Sequence, residues 1–301
     1  RAGTDLPLDT QHCFNGGYLF LQQVYYELGL DRICAMIRTR HGFSYNLNSI
    51  LSRLVYTRIL YPASKLSSYK DSGRFIEQPD FELHQIYRAL SVLAEESDYI
   101  QARLFRNTMA IQERRTEVIY YDCTNFYFEI EEAEDDKQFG VSKENRPLPI
   151  VEMGLFMDRD GIPLAFCINP GNGSEQLSLI PLEKKLMEKF DMSQFIVCTD
   201  AGLSSNTNRY FNSYGKADAT RDFITTQSVK KLKAHLKKWA LAPDGWRLSG
   251  SDGRTIYNID DLDEGECLDR IYYKSRWIKE KADVTIDGQS RKVELEQQLI
   301  V

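Results

Sequence analysis

The two acids best placed for metal chemistry are Asp122 and Asp200. Asp122 lies inside residues 118–128, an apolar and aromatic run with one carboxylate at its middle. β-Branched and aromatic residues at this density predict a strand, and one this apolar belongs at the centre of a sheet. Asp is a poor strand former and is rarely buried unpaired, so Asp122 must sit at an exposed place, bind a cation or be satisfied locally. Asp200 closes a second apolar run, residues 194–199, and Gly202 follows two residues later, where a strand gives way to a loop. Two carboxylates meeting at strand ends are suitable ligands for a hard divalent cation. From pattern alone the alternative stays open that each Asp only caps a turn or a helix.

The elements between the two acids decide whether they meet. Residues 129–136 carry a run of acidic side chains, which reads as a solvated loop. Two apolar runs, 149–157 and 162–168, are joined through Asp158-Arg159-Asp160-Gly161, a hairpin signal that makes Asp158 and Asp160 turn residues rather than ligands. A loop rich in breakers, 169–174, leads into a helix, with Ser178 as its expected cap and Pro181 in its first turn. The Asp200 strand follows, then a short strand candidate at 222–226. Short connections and a right-handed crossover place the fourth strand beside the first, which makes Asp122 and Asp200 neighbours.

The rest of the chain is helical before this region and β-rich after it. Residues 1 to about 15 read as an irregular lead-in, and 17–115 as four to six helices. Tyr18, Leu21, Val24, Tyr25 and Leu28 recur at helical spacing, Asp31 and Asn46 or Asn48 suit later N-caps, and 82–109 reads as one long amphipathic helix. Such a unit suits DNA contact or assembly. Residues 229–239 read as a basic amphipathic helix, with Leu232, Leu236 and Trp239 on its buried face. Its lysines Lys230, Lys231, Lys233, Lys237 and Lys238 suit phosphate contacts that give affinity without sequence information; a solvated surface helix is the alternative. The expected domains are therefore a helical 1–115, a mixed α/β core 116–240 and a β-rich 241–301, in an α+β multidomain protein.

Composition limits the function classes. The 301 residues are 42% apolar and 27% charged, ordinary for a globular protein, and no run is long and apolar enough to cross a membrane. Six scattered cysteines without a CxxC pair predict reduced thiols and a cytoplasmic protein. The net charge of −6 opposes unaided nucleic-acid binding, but residues 1–116 carry 14 basic and 12 acidic groups, so a basic face remains available.

Several stretches together carry a family resemblance. They are Tyr120-Tyr121-Asp122-Cys123-Thr124-Asn125, residues 150–172 with Gly-Leu-Phe-Met and Asn-Pro-Gly-Asn, and Val197-Cys198-Thr199-Asp200-Ala201-Gly202-Leu203. Residues 54–58, 61–68 and 223–228 extend it over nearly the whole chain. The chain resembles the DDE transposases of bacterial insertion sequences, which have a ribonuclease-H-like catalytic core. The resemblance implies that Asp122 and Asp200 are the first two catalytic acids. It further implies two Mg2+ or Mn2+ ions, with Asp122 bridging both and Asp200 holding one. Double-stranded DNA would be cut and joined at element ends, by a homodimer or larger assembly on the DNA.

The family's third acid is a Glu on a later helix, within a Tyr-x2-Arg-x3-Glu-x6-Lys pattern. The segment 273–280 is not expected to be that element: Tyr273 and Glu280 are read as off the pattern's spacing from Arg276, and the segment reads as strand and turn rather than helix; Glu294 and Glu296 lack the Arg and Lys context. The expectation is a fragment that stops before the third acid, binds metal weakly and cuts DNA poorly. Two other classes stay open, a nuclease of the same fold without strand transfer and a non-catalytic DNA-binding or assembly module.

Overall fold

The computed structural model describes residues 13–213 and 221–301, so most of the expected lead-in lies outside the described residues. The chain divides into two compact units, Arg1–Arg114 and Arg115–Val301.

The first unit is helical: α1 (Tyr18–Glu27), α2 (Leu30–Arg40), α3 (Leu47–Leu60), α4 (Lys65–Ser72), α5 (Leu83–Glu95) and α6 (Ser97–Ile111). Its core is aromatic. Tyr18 stacks on Phe75 with ring centroids 4.4 Å apart, and Tyr25 meets Tyr56 edge-on at 5.7 Å. The start of α3 is capped by Asn46, whose side chain accepts from the Ser49 backbone N–H, and Ser64 caps α4 in the same way. Asp31 does not cap α2; the helix opens at Gly29, in the left-handed region at φ 66°, and Asp31 lies in the first turn, where its charge suits the helix dipole. The run expected as one helix over 82–109 is two, broken at Glu96. The Glu96 carboxylate takes Arg40 at 2.5 Å and His41 at 3.0 Å, and these tertiary bonds outweigh helix propensity there.

The second unit is built on a five-stranded mixed sheet: β1 (Val118–Tyr127), β2 (Ile150–Met157), β3 (Pro163–Pro170), β4 (Phe195–Thr199) and β5 (Arg221–Thr225). The spatial order is β3-β2-β1-β4-β5, with β1–β2 and β2–β3 antiparallel and β1–β4 and β4–β5 parallel. That is the strand order of a ribonuclease-H-like core, and with the helical unit it makes the protein α+β. Helix α7 (Glu175–Lys189) packs on β2 and β3, and α8 (Asn206–Ser213) packs on β5. The β2–β3 turn is organised by Asp158, whose buried carboxylate accepts from the Asp160 and Ile162 backbone N–H groups. Ser178 does not cap α7, which starts at Glu175. Buried inside the helix, Ser178 instead bonds the Tyr121 hydroxyl at 2.6 Å and donates to the Glu175 carbonyl. Because the Ser178 proton goes to Glu175, Tyr121 donates to Ser178, and Cys123 Sγ donates to Tyr121 in turn. This relay ties the middle of β1 to the covering helix. Pro181 lies beyond the first turn, inside the helix, where it costs one backbone bond.

The remaining elements are α9 (Ala234–Leu241), β6 (Arg247–Leu248), β7 (Tyr272–Tyr273), β8 (Ser275–Ile286) and β9 (Gln289–Ile300). β6 pairs with β7 and β8 with β9, as two small sheets separate from the five-stranded one. Between β6 and β7, Tyr257 forms an isolated bridge to Trp246. Lys274 anchors this region. It is buried between the rings of Trp239 and Trp246, at 5.3 and 4.7 Å, and donates to the Ala242 carbonyl at 2.5 Å.

One backbone crossing fixes the loop that approaches Asp122. The Gly171 N–H donates to the Asp136 carbonyl, and a methyl group on Gly171 would overlap the Ile150 carbonyl oxygen, just as one on Gly140 would overlap that of Gly171. Gly171→Ala therefore destabilises the protein by about 1–3 kcal/mol. Gly42→Ala, with nothing within 4 Å of the added methyl group, stays within about 0.5 kcal/mol. Urea unfolding of the two variants checks the contrast.

Candidate metal centre and nucleic-acid surface

Asp122 sits mid-strand in β1 on its solvent-facing side. Burial alternates along the strand, with Ile119, Tyr121 and Cys123 inside and Tyr120, Asp122 and Thr124 outside. A poor strand former is tolerated there because its carboxylate stays hydrated, with 69% of the side chain exposed. The same face carries exposed Tyr120, Phe126, Ile168 and Ile224, while α7 covers the other. Asp122 Oδ1 accepts one bond, from the Cys123 backbone N–H at 2.8 Å.

Asp200 is the first residue past β4 and is exposed. Its Oδ1 accepts from the Leu203 N–H at 3.0 Å, a turn bond of the kind Asp makes after strands. The loop is held from three sides. Thr225 donates to the Asp200 carbonyl at 3.1 Å, Gln176 to Gly202 at 2.8 Å, and Asn208 to Leu203 at 2.8 Å. The parallel register of β1 on β4 ends with Tyr121 opposite Thr199. Asp122 and Asp200 are the residues that directly follow this last pair, one on each segment.

This donor set suits one hard cation. It offers oxygen atoms only, both side chains are open to water, and Mg2+ commonly takes one or two carboxylates and keeps several waters. Among the described residues no group of three or more His, Cys, Asp or Glu converges as a metal site. The segment 273–280 needs a correction. Tyr273, Arg276 and Glu280 do stand at Tyr-x2-Arg-x3-Glu spacing, but residue 287, where the pattern has Lys, is Asp, and the segment is strand rather than helix. Glu280 is taken by Lys233 at 2.9 Å and Gln297 at 3.2 Å. Glu294 and Glu296 lie on β9.

Two basic residues at the site escaped the sequence reading. Lys143, in the loop between β1 and β2, places its Nζ 3.9 Å from Asp122 Oδ1 and donates to the Cys123 carbonyl. Arg146 stacks over Tyr127 at 4.2 Å and donates to Glu144 at 2.7 Å. The available signal was Gly140-Val-Ser-Lys-Glu-Asn-Arg-Pro147, a breaker-bounded loop in which the cations reappear straight after the acidic run. That acidic run is indeed a loop, with residues 131–136 exposed and Glu134 paired to Lys137 at 3.1 Å.

The lysine stretch is not one helix. Val229–Lys231 forms a single turn, Leu232 and Lys233 are extended, and α9 begins at Ala234. The break lets Lys233 reach Glu280 on β8. Lys230, Lys231, Lys233, Lys237 and Lys238 are all exposed, while Leu236 is buried and Trp239 half-buried. Beside them a groove of about 220 Å³ is lined by Lys233, His235, Arg276, Trp277, Lys279 and the acid Glu280, which pairs with Lys233, and Trp277 is 65% exposed. Cations around an open aromatic ring are the composition of a single-strand or backbone-tracking surface.

No family model matches the chain, and no curated protein matches it. Among solved structures it is similar to a Mos1 transposase paired-end complex with left transposon end, at 12% identity over 56% of this chain and 57% of that one, TM-score 0.23. It is also similar to a pre-cleavage Mos1 transpososome, at 13% identity over 66% and 73% of the two chains, TM-score 0.21. The match spans 57% and 53% of the first two Mos1 chains. At these TM-scores the likeness fixes no residue of the site, and the fold rests on this chain's own strand order.

On the opposite face of β2 from Asp122 lies Glu152, only 6% exposed. Burial, reinforced by the charge of Glu175, pushes its carboxyl up from 4.5 to about 6, and Lys143 opposes the shift. A carboxyl raised in the folded state stabilises fully below its unfolded value, and that contribution is lost as pH rises through the folded value. Wild type should therefore lose roughly 2 kcal/mol between pH 4 and pH 7 relative to Glu152→Gln, read from paired urea melts. Parallel pH profiles for the two proteins would contradict the assignment.

Proposed function

We propose that this protein is a metal-dependent DNA phosphodiester-transfer enzyme of the transposase type, acting through Asp122 and Asp200. The observation that supports the reading is that two exposed carboxylates, Asp122 and Asp200, directly follow Tyr121 and Thr199, the last residue pair of the parallel β1–β4 register. Asp122 and Asp200 would hold Mg2+ or Mn2+, with a second ion needing a further acid. When bound, the ions supply an activated water or 3′-hydroxyl and stabilisation of the leaving oxygen.

The chain's own groups do the positioning. The Cys123 and Leu203 backbone N–H groups each fix one carboxylate oxygen, leaving the other free to face a ligand. The Tyr121–Ser178 bond holds β1 against α7, so the edge does not shift when charge arrives. The exposed lysines from Lys230 to Lys238 supply backbone contacts to double-stranded DNA, and Trp277 offers a stacking face where bases are unpaired. Insertion-sequence origin, the joining step and a homodimeric assembly on DNA belong to the same reading.

Two outcomes test it. Mn2+-dependent nicking of supercoiled DNA should be weak, and Asp122→Asn or Asp200→Asn should lower it at least about tenfold while duplex affinity stays within about twofold. The acid chemistry underlies this expectation, since each carboxylate is a direct ligand. Nicking that survives both substitutions contradicts the assignment. Lys237→Gln with Lys238→Gln should weaken duplex binding across sequences and flatten the dependence of log affinity on log salt by up to about 2. An unchanged slope removes these two lysines from the interface.

A further inference from the structure

The loop that carries Lys143 is anchored on both sides of that residue, and the side chain itself is held through its ammonium alone. Before it, Gly140 is packed against Gly171 so closely that neither accepts a methyl group. Ser142 is buried, accepts from the Glu144 N–H at 3.2 Å and takes the Asn145 N–H on its carbonyl at 3.0 Å. After it, Arg146 lies over the Tyr127 ring. The backbone at 143 is thereby fixed beside β1. Its ammonium sits on a flexible stem of four methylenes, with 48% of the side chain exposed.

The place where the ammonium rests is specific. Parallel pairing with β4 stops at Tyr121, so beyond that point β1 has β2 on one side and no β4 residue on the other. Lys143 fills that gap by donating to the Cys123 carbonyl, and Asn125 bonds the Val141 carbonyl of the same loop at 3.5 Å. From there Nζ stands 3.9 Å from Asp122 Oδ1, inside ion-pair range and outside hydrogen-bond range. The attraction is therefore Coulombic and undirected, the kind a second cation can displace. Lys143 has three donors, and the Cys123 carbonyl uses one.

We infer that Lys143 is a positioning residue that acts as the resident counter-charge of Asp122, giving the carboxylate up to a divalent ion and turning its ammonium to a phosphate oxygen of the bound strand. This rests on the proposed function for the Asp122–Asp200 pair and adds a residue to it. The inference concerns charge, so it separates from a purely structural role. A lysine that only props the loop would, on removal, weaken everything at the site. A counter-charge, on removal, makes the site more attractive to Mn2+.

Titration of the 301-residue chain with Mn2+, reading free ion by electron paramagnetic resonance without DNA, tests this. Lys143→Met should raise Mn2+ affinity about fivefold or more, since a unit charge near 4 Å from Asp122 opposes an incoming divalent ion even in water. Lys143→Gln, which keeps a donor for the Cys123 carbonyl while removing the charge, should give the same gain. Lys143→Arg should match wild type. Adding Asp122→Asn to any of these should abolish the gain. Affinity that is unchanged or weaker in both Lys143→Met and Lys143→Gln, while Asp122→Asn still lowers it, overturns the inference and leaves the metal site standing. Mn2+ binding that is indifferent to Asp122→Asn and Asp200→Asn, or absent throughout, overturns both.

Discussion

The site depends on where one parallel strand pairing stops. β4 is five residues long and β1 is ten, and their register runs from Val118 opposite Ile196 to Tyr121 opposite Thr199. The next residue on each strand is an Asp. With the ladder ending there, both carboxylates are exposed. The following β1 backbone is also left without a β4 partner, and Lys143 answers the Cys123 carbonyl in that gap. The two exposed acids and the adjoining positive charge thus come from the same structural event.

Rigidity is supplied from the other face. The relay from Cys123 through Tyr121 and Ser178 to the Glu175 carbonyl is buried, and each hydroxyl in it both donates and accepts. Buried polar groups that are satisfied in this way hold one geometry, because any shift leaves an orphan donor. Gly154 belongs to the same arrangement, since a side chain there would strike the Tyr121 hydroxyl. The loop after β4 is held by Gln176 from α7 and Asn208 from α8. Helices that pack against the sheet therefore also fix the position of the acid at its edge.

Much of this was legible in the sequence, for identifiable reasons. The apolar runs of 118–128 and 194–199 bracket their acids, and the Asp-Gly turn at 158–161 announces the hairpin, so the strand order followed from connection lengths and handedness. Features decided by tertiary bonds were not legible. Glu96 breaks a helix because Arg40 and His41 reach it from another segment. The lysine stretch breaks at Leu232 and Lys233, and Lys233 pairs with Glu280 on β8, which no local spacing announces. Ser178 sits where a cap looked plausible, yet its partner is a tyrosine 57 residues earlier. Lys143 was invisible for the same reason: nothing in the local spacing says that a loop lysine returns to the strand it left 20 residues before.

A crystal of the protein soaked in Mn2+ and read by anomalous scattering addresses the central claim most directly. The account predicts a peak bridging the Asp122 and Asp200 carboxylates, with Lys143 Nζ moved off Asp122. Carboxylates on opposite faces of the sheet, or manganese bound elsewhere with the pair bare, would contradict it.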